Sequence, residues 1–383
     1  MNFASLWRLD PAVIYLNHGS FRACPEAVLS AQTALRLEME REPVDFLVGA
    51  LPARLDQARE ALSSFVGADP ADLVFVPNAT TGVNAVLRSL SFAPEDELLL
   101  TNHTYAACRK TVDFVCQKSG ARAAVAELPF PCQEEAVVSA ILKSITPRTR
   151  LALLDHVTSP TALVLPLARL VGELEQRGVD TLVDGAHAPG MVPLALSELG
   201  AAYYTGNAHK WLCAPKGAAF LHVRRDRQTH LHPNVISHGY SGGFHAEFDW
   251  TGTFDPSAWL CIPEALRFMG NLLPGGWPQV MAVNRALALQ ARSLLADSCG
   301  IDAPCPDTMI GSMASLPLPP ASVGSPAHRL DSKGLHAWFR ERGMETWLYP
   351  HPLPLLRISA QLYNDLDQFK RLASLLEEAL HGR

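Results

Sequence analysis

Two short runs decide how this 383-residue chain folds: Arg150-Leu-Ala-Leu-Leu-Asp155 and Asp180-Thr-Leu-Val-Asp184. Each is an apolar run ending in an acid, and between them lies a helical stretch from Leu167 to Gln176. Apolar runs too continuous for a half-exposed strand, alternating with helices, predict βαβ units and a parallel sheet covered on both faces. The same alternation extends outward in both directions. Upstream are strands at 73–76, 97–101 and 121–128, with helices at 83–90, 105–118 and 134–145. Downstream, a run ending in Tyr203 and Tyr204 and another from Ala218 to Val223 read as two more strands. Nearer the N-terminus, Val13 to Leu16 is extended, and helices are predicted from Pro25 to about Glu42 and from Leu51 to Val66. Helices at 260–269 and 277–297 follow. A strand at 310–316, a helix at 332–342, strands at 345–347 and 355–359 and a helix at 365–380 then suit a smaller α+β domain.

Ligands of parallel sheets bind beyond the carboxyl ends of the strands. The chemically suggestive residues collect at those ends. Lys210 lies in Thr205-Gly-Asn-Ala-His-Lys-Trp-Leu212, a tight loop between two apolar strands, where partial desolvation lowers a lysine's pKa and makes its amine a nucleophile. Asp184 ends a buried strand and needs a cationic partner such as a protonated pyridine nitrogen, with His187 three residues on. Asn78-Ala-Thr-Thr-Gly-Val-Asn84 joins a strand to a helix start and suits a phosphate, or ordinary helix capping. His103 and Tyr105 follow the strand at 97–101, and either ring suits stacking on a flat cofactor. The Thr158-Ser159 pair brings hydroxyls to the same edge, and Trp250-Thr-Gly-Thr253 is a second candidate phosphate donor. Arg357 sits in an apolar strand, where it implies either a carboxylate ligand or a structural ion pair.

The bulk properties narrow the partners. The net charge is −6 with no basic block, which argues against nucleic acid and anionic membranes. No apolar run approaches a membrane span, and the N-terminus lacks a signal-peptide layout. The eight cysteines are scattered without a Cys-x-x-Cys pair, so neither a zinc site nor another metal is expected and a reducing cytoplasm is.

The stretches Tyr15-Leu-Asn-His-Gly-Ser-Phe21, Asn78–Asn84, Asp184-Gly-Ala-His-Ala-Pro-Gly190, Gly206–Leu212, Trp250–Thr253 and Leu356-Arg-Ile-Ser-Ala-Gln-Leu-Tyr-Asn364 resemble the class V aminotransferase-like family of pyridoxal-phosphate enzymes, and within it the isopenicillin N epimerase-like proteins. The resemblance implies the fold type I architecture. A large domain (1–262) would carry a mainly parallel seven-stranded sheet, its N-terminal segment 1–24 lying near the substrate site, and an α+β domain (263–383) would follow.

It also implies roles. Lys210 would form an aldimine with pyridoxal 5′-phosphate, and Asp184 would pair with the pyridine nitrogen. His187 would lie near the phenolic oxygen and the substrate carboxylate. Ala79, Thr80, Asn207 and His209 would hold the phosphate, and Thr253 would reach the phosphate of a neighbouring subunit in a homodimer with shared sites. Ser159 would bond the phenolic oxygen, and His103 would stack on the ring unless Tyr105 takes that place. Arg357 would bind the α-carboxylate, with Asn17, His18 and Arg22 near the substrate. Tyr105, His103 and His187 are candidates for a second proton donor. The implied activity is α-proton chemistry on an amino acid, epimerase-like. The alternative is a carbon–sulfur β-lyase, with an aminotransferase or a non-catalytic protein behind it. The loop Trp347–Leu356 has no cysteine, which argues against persulfide chemistry there.

Overall fold

The structure is a computed structural model that describes residues 3–350 and 353–382. The first two residues of the N-terminal segment and the last of the C-terminal part lie outside the described residues, as do two residues of the loop before Arg357.

Strand β1 (Ile14–Tyr15) comes first. Seven strands then build one sheet: β2 (Leu73–Val76), β3 (Glu97–Thr101), β4 (Arg122–Ala126), β5 (Thr149–Asp155), β6 (Asp180–Gly185), β7 (Tyr203–Gly206) and β8 (Ala219–Val223). Their order is β2-β8-β7-β6-β5-β3-β4, parallel throughout except that β8 runs against both neighbours. Alternate residues feed opposite cores. Phe75, Leu99, Ala152 and Val183 pack on one face, and Val74, Leu98, Leu153 and Leu182 on the other. Burial on both faces explains why the strands read as unbroken apolar runs.

The C-terminal part adds β9 (Met313–Pro317), β10 (Met344–Glu345), β11 (Trp347–Tyr349) and β12 (Leu355–Ser359). Strands β11, β12 and β9 form an antiparallel sheet in that order, and the helices Gly276–Cys299 and Leu366–His381 pack on each other beside it. The predicted strand at 345–347 divides into β10 and β11. Strand β1 pairs in parallel with β10, with Ile14 opposite Met344, so the N-terminal segment is fastened to the C-terminal part.

At the site edge the helix after β2 runs Ala79–Ser89, starting four residues earlier than the sequence pattern suggested. Asn78 is its cap: the Asn78 side-chain oxygen accepts from the Thr81 amide at 2.8 Å. A Cβ on Gly82 would lie 2.3 Å from Thr205 Oγ1, so glycine there lets the helix start touch β7 beside the Lys210 loop.

Candidate active site

The carboxyl ends of β2, β5, β6 and β7 surround a cavity of about 380 Å³. Of the residues singled out in the sequence, Ala79, Thr80, Tyr105, Ser159, Asp184, His187, Asn207, His209 and Lys210 line it. Ser20, Phe21 and Asp155 also line it.

Lys210 is held by a tied loop. The Lys210 amide donates to Asn207 O, Cys213 N donates to Lys210 O, and His209 N donates to Ala218 O. His18 supports the loop from behind: Nε2 meets Lys210 O at 3.3 Å and Nδ1 meets the Tyr363 hydroxyl at 2.8 Å. Burial holds the His18 ring neutral, its pKa pushed down to about 3. A neutral ring donating from Nε2 and accepting at Nδ1 satisfies both contacts.

The Lys210 side chain is partly buried, and its amine is 3.0 Å from His187 Nε2. Burial pushes its pKa down to about 8, against the opposing pull of Asp184. His187 is lowered well below its usual range, first by burial and then by Lys210. A neutral His187 therefore accepts from the lysine at Nε2 and carries its proton on Nδ1, which has no partner among the described residues.

Asp184 is 4% exposed. Its Oδ1 accepts from Ala186 N at 3.0 Å and its Oδ2 accepts from Cys108 Sγ at 3.1 Å. Among the described residues no cation forms a salt bridge with it. At the other end of the cavity, Asn207 Oδ1 accepts from Ala79 N at 2.8 Å. Two expected phosphate holders are thus bonded to each other, and Thr80 N is the first-turn amide without a partner among the described residues. His209 Nδ1 is also unpartnered.

The remaining expected residues fall outside the lining. His103 is fully buried, with Nδ1 3.0 Å from Thr161 Oγ1, whereas Tyr105 is 44% exposed on the cavity wall. Burial raises the Tyr105 phenol above its usual range. Thr253 is exposed and is not part of the cavity lining. Arg22 is neither solvated nor in the lining. It is buried, one guanidinium nitrogen donates to Ala214 O, and the side chain also meets the Cys24 thiol.

Arg357 lies one layer behind the wall. It donates to Ser159 O at 2.7 Å, Ser159 Oγ at 3.2 Å, Tyr349 Oη at 3.0 Å and Asn17 Oδ1 at 3.4 Å, and also to Ser20 Oγ. Asn17 in turn donates to Glu345 Oε1 at 3.0 Å, which turns its oxygen toward the arginine.

A model of the aminotransferase class-V family matches residues 40–372. The chain belongs to that family. Isopenicillin N epimerase of Streptomyces clavuligerus is 36% identical, covering 98% of this chain and 96% of the relative. An L-cysteine desulfhydrase of Arabidopsis thaliana is 30% identical, covering 96% of this chain and 87% of the relative. Among solved structures, the cystine C-S lyase C-DES matches with a TM-score of 0.80 at 21% identity over 95% of this chain and 97% of its own, a likeness of fold.

Family members use pyridoxal phosphate, and the residues present fit that group. The cavity joins an amine of lowered pKa, an acid without a cation and a helix start with a free amide. Two histidine nitrogens without partners among the described residues complete a set of polar groups open to a ligand. Among the described residues no cluster of His, Cys, Asp or Glu is arranged to hold a metal, and no helix is long and apolar enough to cross a membrane.

Sequence reasoning overlooked Asp155, Cys108 and Tyr349. Asp155 left a signal, since it ends its strand in an acid just as Asp184 does.

Proposed function

We propose that this chain is a pyridoxal-phosphate-dependent enzyme that removes the α-proton of an amino acid and returns a proton to the opposite face, an epimerase-like reaction. The observation that carries this reading is Lys210, a cavity-facing amine whose pKa is lowered to about 8 and which hydrogen-bonds a neutral histidine. When bound, the cofactor supplies an aldehyde that captures amines and a ring that withdraws electrons from Cα. Asp184 supplies the negative charge for the ring nitrogen. Arg357 supplies a guanidinium fork for the α-carboxylate, which fixes the bond at Cα that faces Lys210. Lys210 Nζ takes the α-proton, and at neutral pH a usable fraction of it is free amine. His187 holds that nitrogen in position. Tyr105 keeps its phenolic proton at neutral pH and is the donor we assign to the other face. The 36% identity to two isopenicillin N epimerases over nearly the whole chain supports this order of preference.

The second reading is a carbon–sulfur β-lyase, favoured by the similarity to L-cysteine desulfhydrases. After α-proton removal the β-sulfur would leave with its bonding electrons and be protonated as a thiol. We also propose a homodimer in a reducing cytoplasm, with Thr253 serving the partner's site. Exposed Phe21, Val235, Ile236 and Tyr240, and eight unpaired cysteines, support this.

Incubating the protein with amino acids and cysteine S-conjugates in heavy water tests the choice. Deuterium at an inverted Cα without pyruvate is expected. Pyruvate plus thiol assigns the lyase instead. Absorbance near ~410–430 nm that survives Lys210→Ala overturns both readings.

A further inference from the structure

Asp155 and Asp184 are register partners on adjacent parallel strands, each at the strand's carboxyl end. Their side chains therefore leave the same face, and both line the cavity. They are 2% and 4% exposed. Neither has a salt bridge among the described residues, and Asp155 Oδ2 has no hydrogen-bond partner. From the opposite side, fully buried Cys108 donates its thiol to Asp184 Oδ2 at 3.1 Å. The other titratable groups that face this cluster are Lys210, His187, Tyr105 and Tyr204. Only Lys210 brings a positive charge.

Two carboxylates side by side in a water-poor cavity repel, and one lysine does not neutralise both. The hydrogen bonds decide which keeps its charge. Asp155 meets the Tyr105 amide, its own amide and the Thr104 hydroxyl, but its Oδ2 has no hydrogen-bond partner among the described residues, whereas both oxygens of Asp184 accept, from Ala186 N and Cys108 Sγ.

We propose that Asp184, Asp155 and Cys108 act as one unit with a single negative charge: Asp184 carries it, and Asp155 and Cys108 stay protonated beside it as positioning residues. Burial followed by the charge of Asp184 pushes both Asp155 and Cys108 upward, in keeping with this assignment. The consequence for the cofactor, which rests on the function proposed above, is a ring nitrogen whose proton is held less tightly than a lone buried aspartate would hold it.

Infrared spectroscopy of the full-length protein at neutral pH, with and without pyridoxal phosphate, reads a protonated carboxyl directly. Its C=O band is expected in the wild type, absent in Asp155→Asn and retained in Cys108→Ala. A folded Asp155→Asn protein whose spectrum keeps the band overturns the proposal. A second measurement follows Lys210 in the cofactor-free chain, by labelling with trinitrobenzenesulfonate across pH. Asp184→Asn is expected to lower the labelling midpoint by about one pH unit or more, and Asp155→Asn to move it by less than about 0.3. Equal lowering in both would mean that Asp155 is charged, and the proposal fails.

With cofactor bound, Cys108→Ala should raise the pH at which the ring loses its proton, read by absorbance, and Cys108→Ser should restore it. An unchanged pH in Cys108→Ala removes the thiol from the unit. The first two readouts need no cofactor, so they stand or fall separately from the pyridoxal-phosphate reading.

Discussion

Arg59 and Arg357 are equally buried, at 1% exposure, yet their surroundings are opposite. Arg59 reaches both oxygens of Asp249 at 2.7 Å, pairs with Asp56, and lies over the Phe75 ring. Among the described residues Arg357 meets neutral oxygens only, from Ser159, Tyr349, Ser20 and Asn17. Two of those partners, Ser20 and Ser159, line the cavity. Where an arginine serves the fold, the chain supplies its acid. Where no described residue supplies an acid, hydrogen bonds hold the guanidinium in place and leave its charge uncompensated, as the α-carboxylate ligand proposed above requires.

Removing each arginine should separate these roles. The largest effect belongs to Arg59→Ala, which strands Asp249 and is expected to cost about 3 kcal/mol of stability, read by denaturant unfolding, with activity per folded molecule unchanged. Arg357→Ala should leave unfolding nearly unmoved and lower kcat/KM for a substrate bearing an α-carboxylate by about 100-fold. Loss of stability without loss of kcat/KM would make Arg357 a second Arg59. Arg357→Lys keeps the charge but not the fork, and should recover all but about tenfold of the activity.

The smallest effect is electrostatic. If Lys210 captures the cofactor aldehyde as proposed, it does so as the free amine, so cofactor uptake by the stripped protein should rise through a midpoint near pH 8. The Arg357 charge lowers that pKa, so Arg357→Met should raise the midpoint by about 0.3 pH. Arg59→Met, in the same stopped-flow measurement, should not.

The sequence displays some of this architecture well. Strands β2, β3 and β12 fall at the expected residues because β-branched and leucine runs buried on both faces carry a strong signal. Lys210 and Asp184 stand out because each follows such a run. The helix Phe244–Asp249 was missed: six residues with little apolar spacing carry too little pattern to separate from a loop. Asp155 and Cys108 were missed for another reason. Asp155 shows as a strand-ending acid, but the lateral register and helix phase that bring it and Cys108 to Asp184 from two sides are not local properties of the chain. His18 and Arg22 carry the right chemistry in the right stretch, but their side chains turn toward Tyr363 and Ala214 and away from the cavity.

Asn17 donates to Glu345 across 328 residues of chain. On a ribosome adding about 5–20 residues per second, the N-terminal strand waits roughly 15–65 s for its partner to be made. The sheet that carries Lys210 and Asp184 is complete in sequence long before then. During synthesis the cavity therefore has its lysine and its acid before Arg357 is in place behind its wall. On the function proposed above, a nascent chain at that stage would offer an amine to aldehydes with nothing to select for a carboxylate, so selectivity would come last.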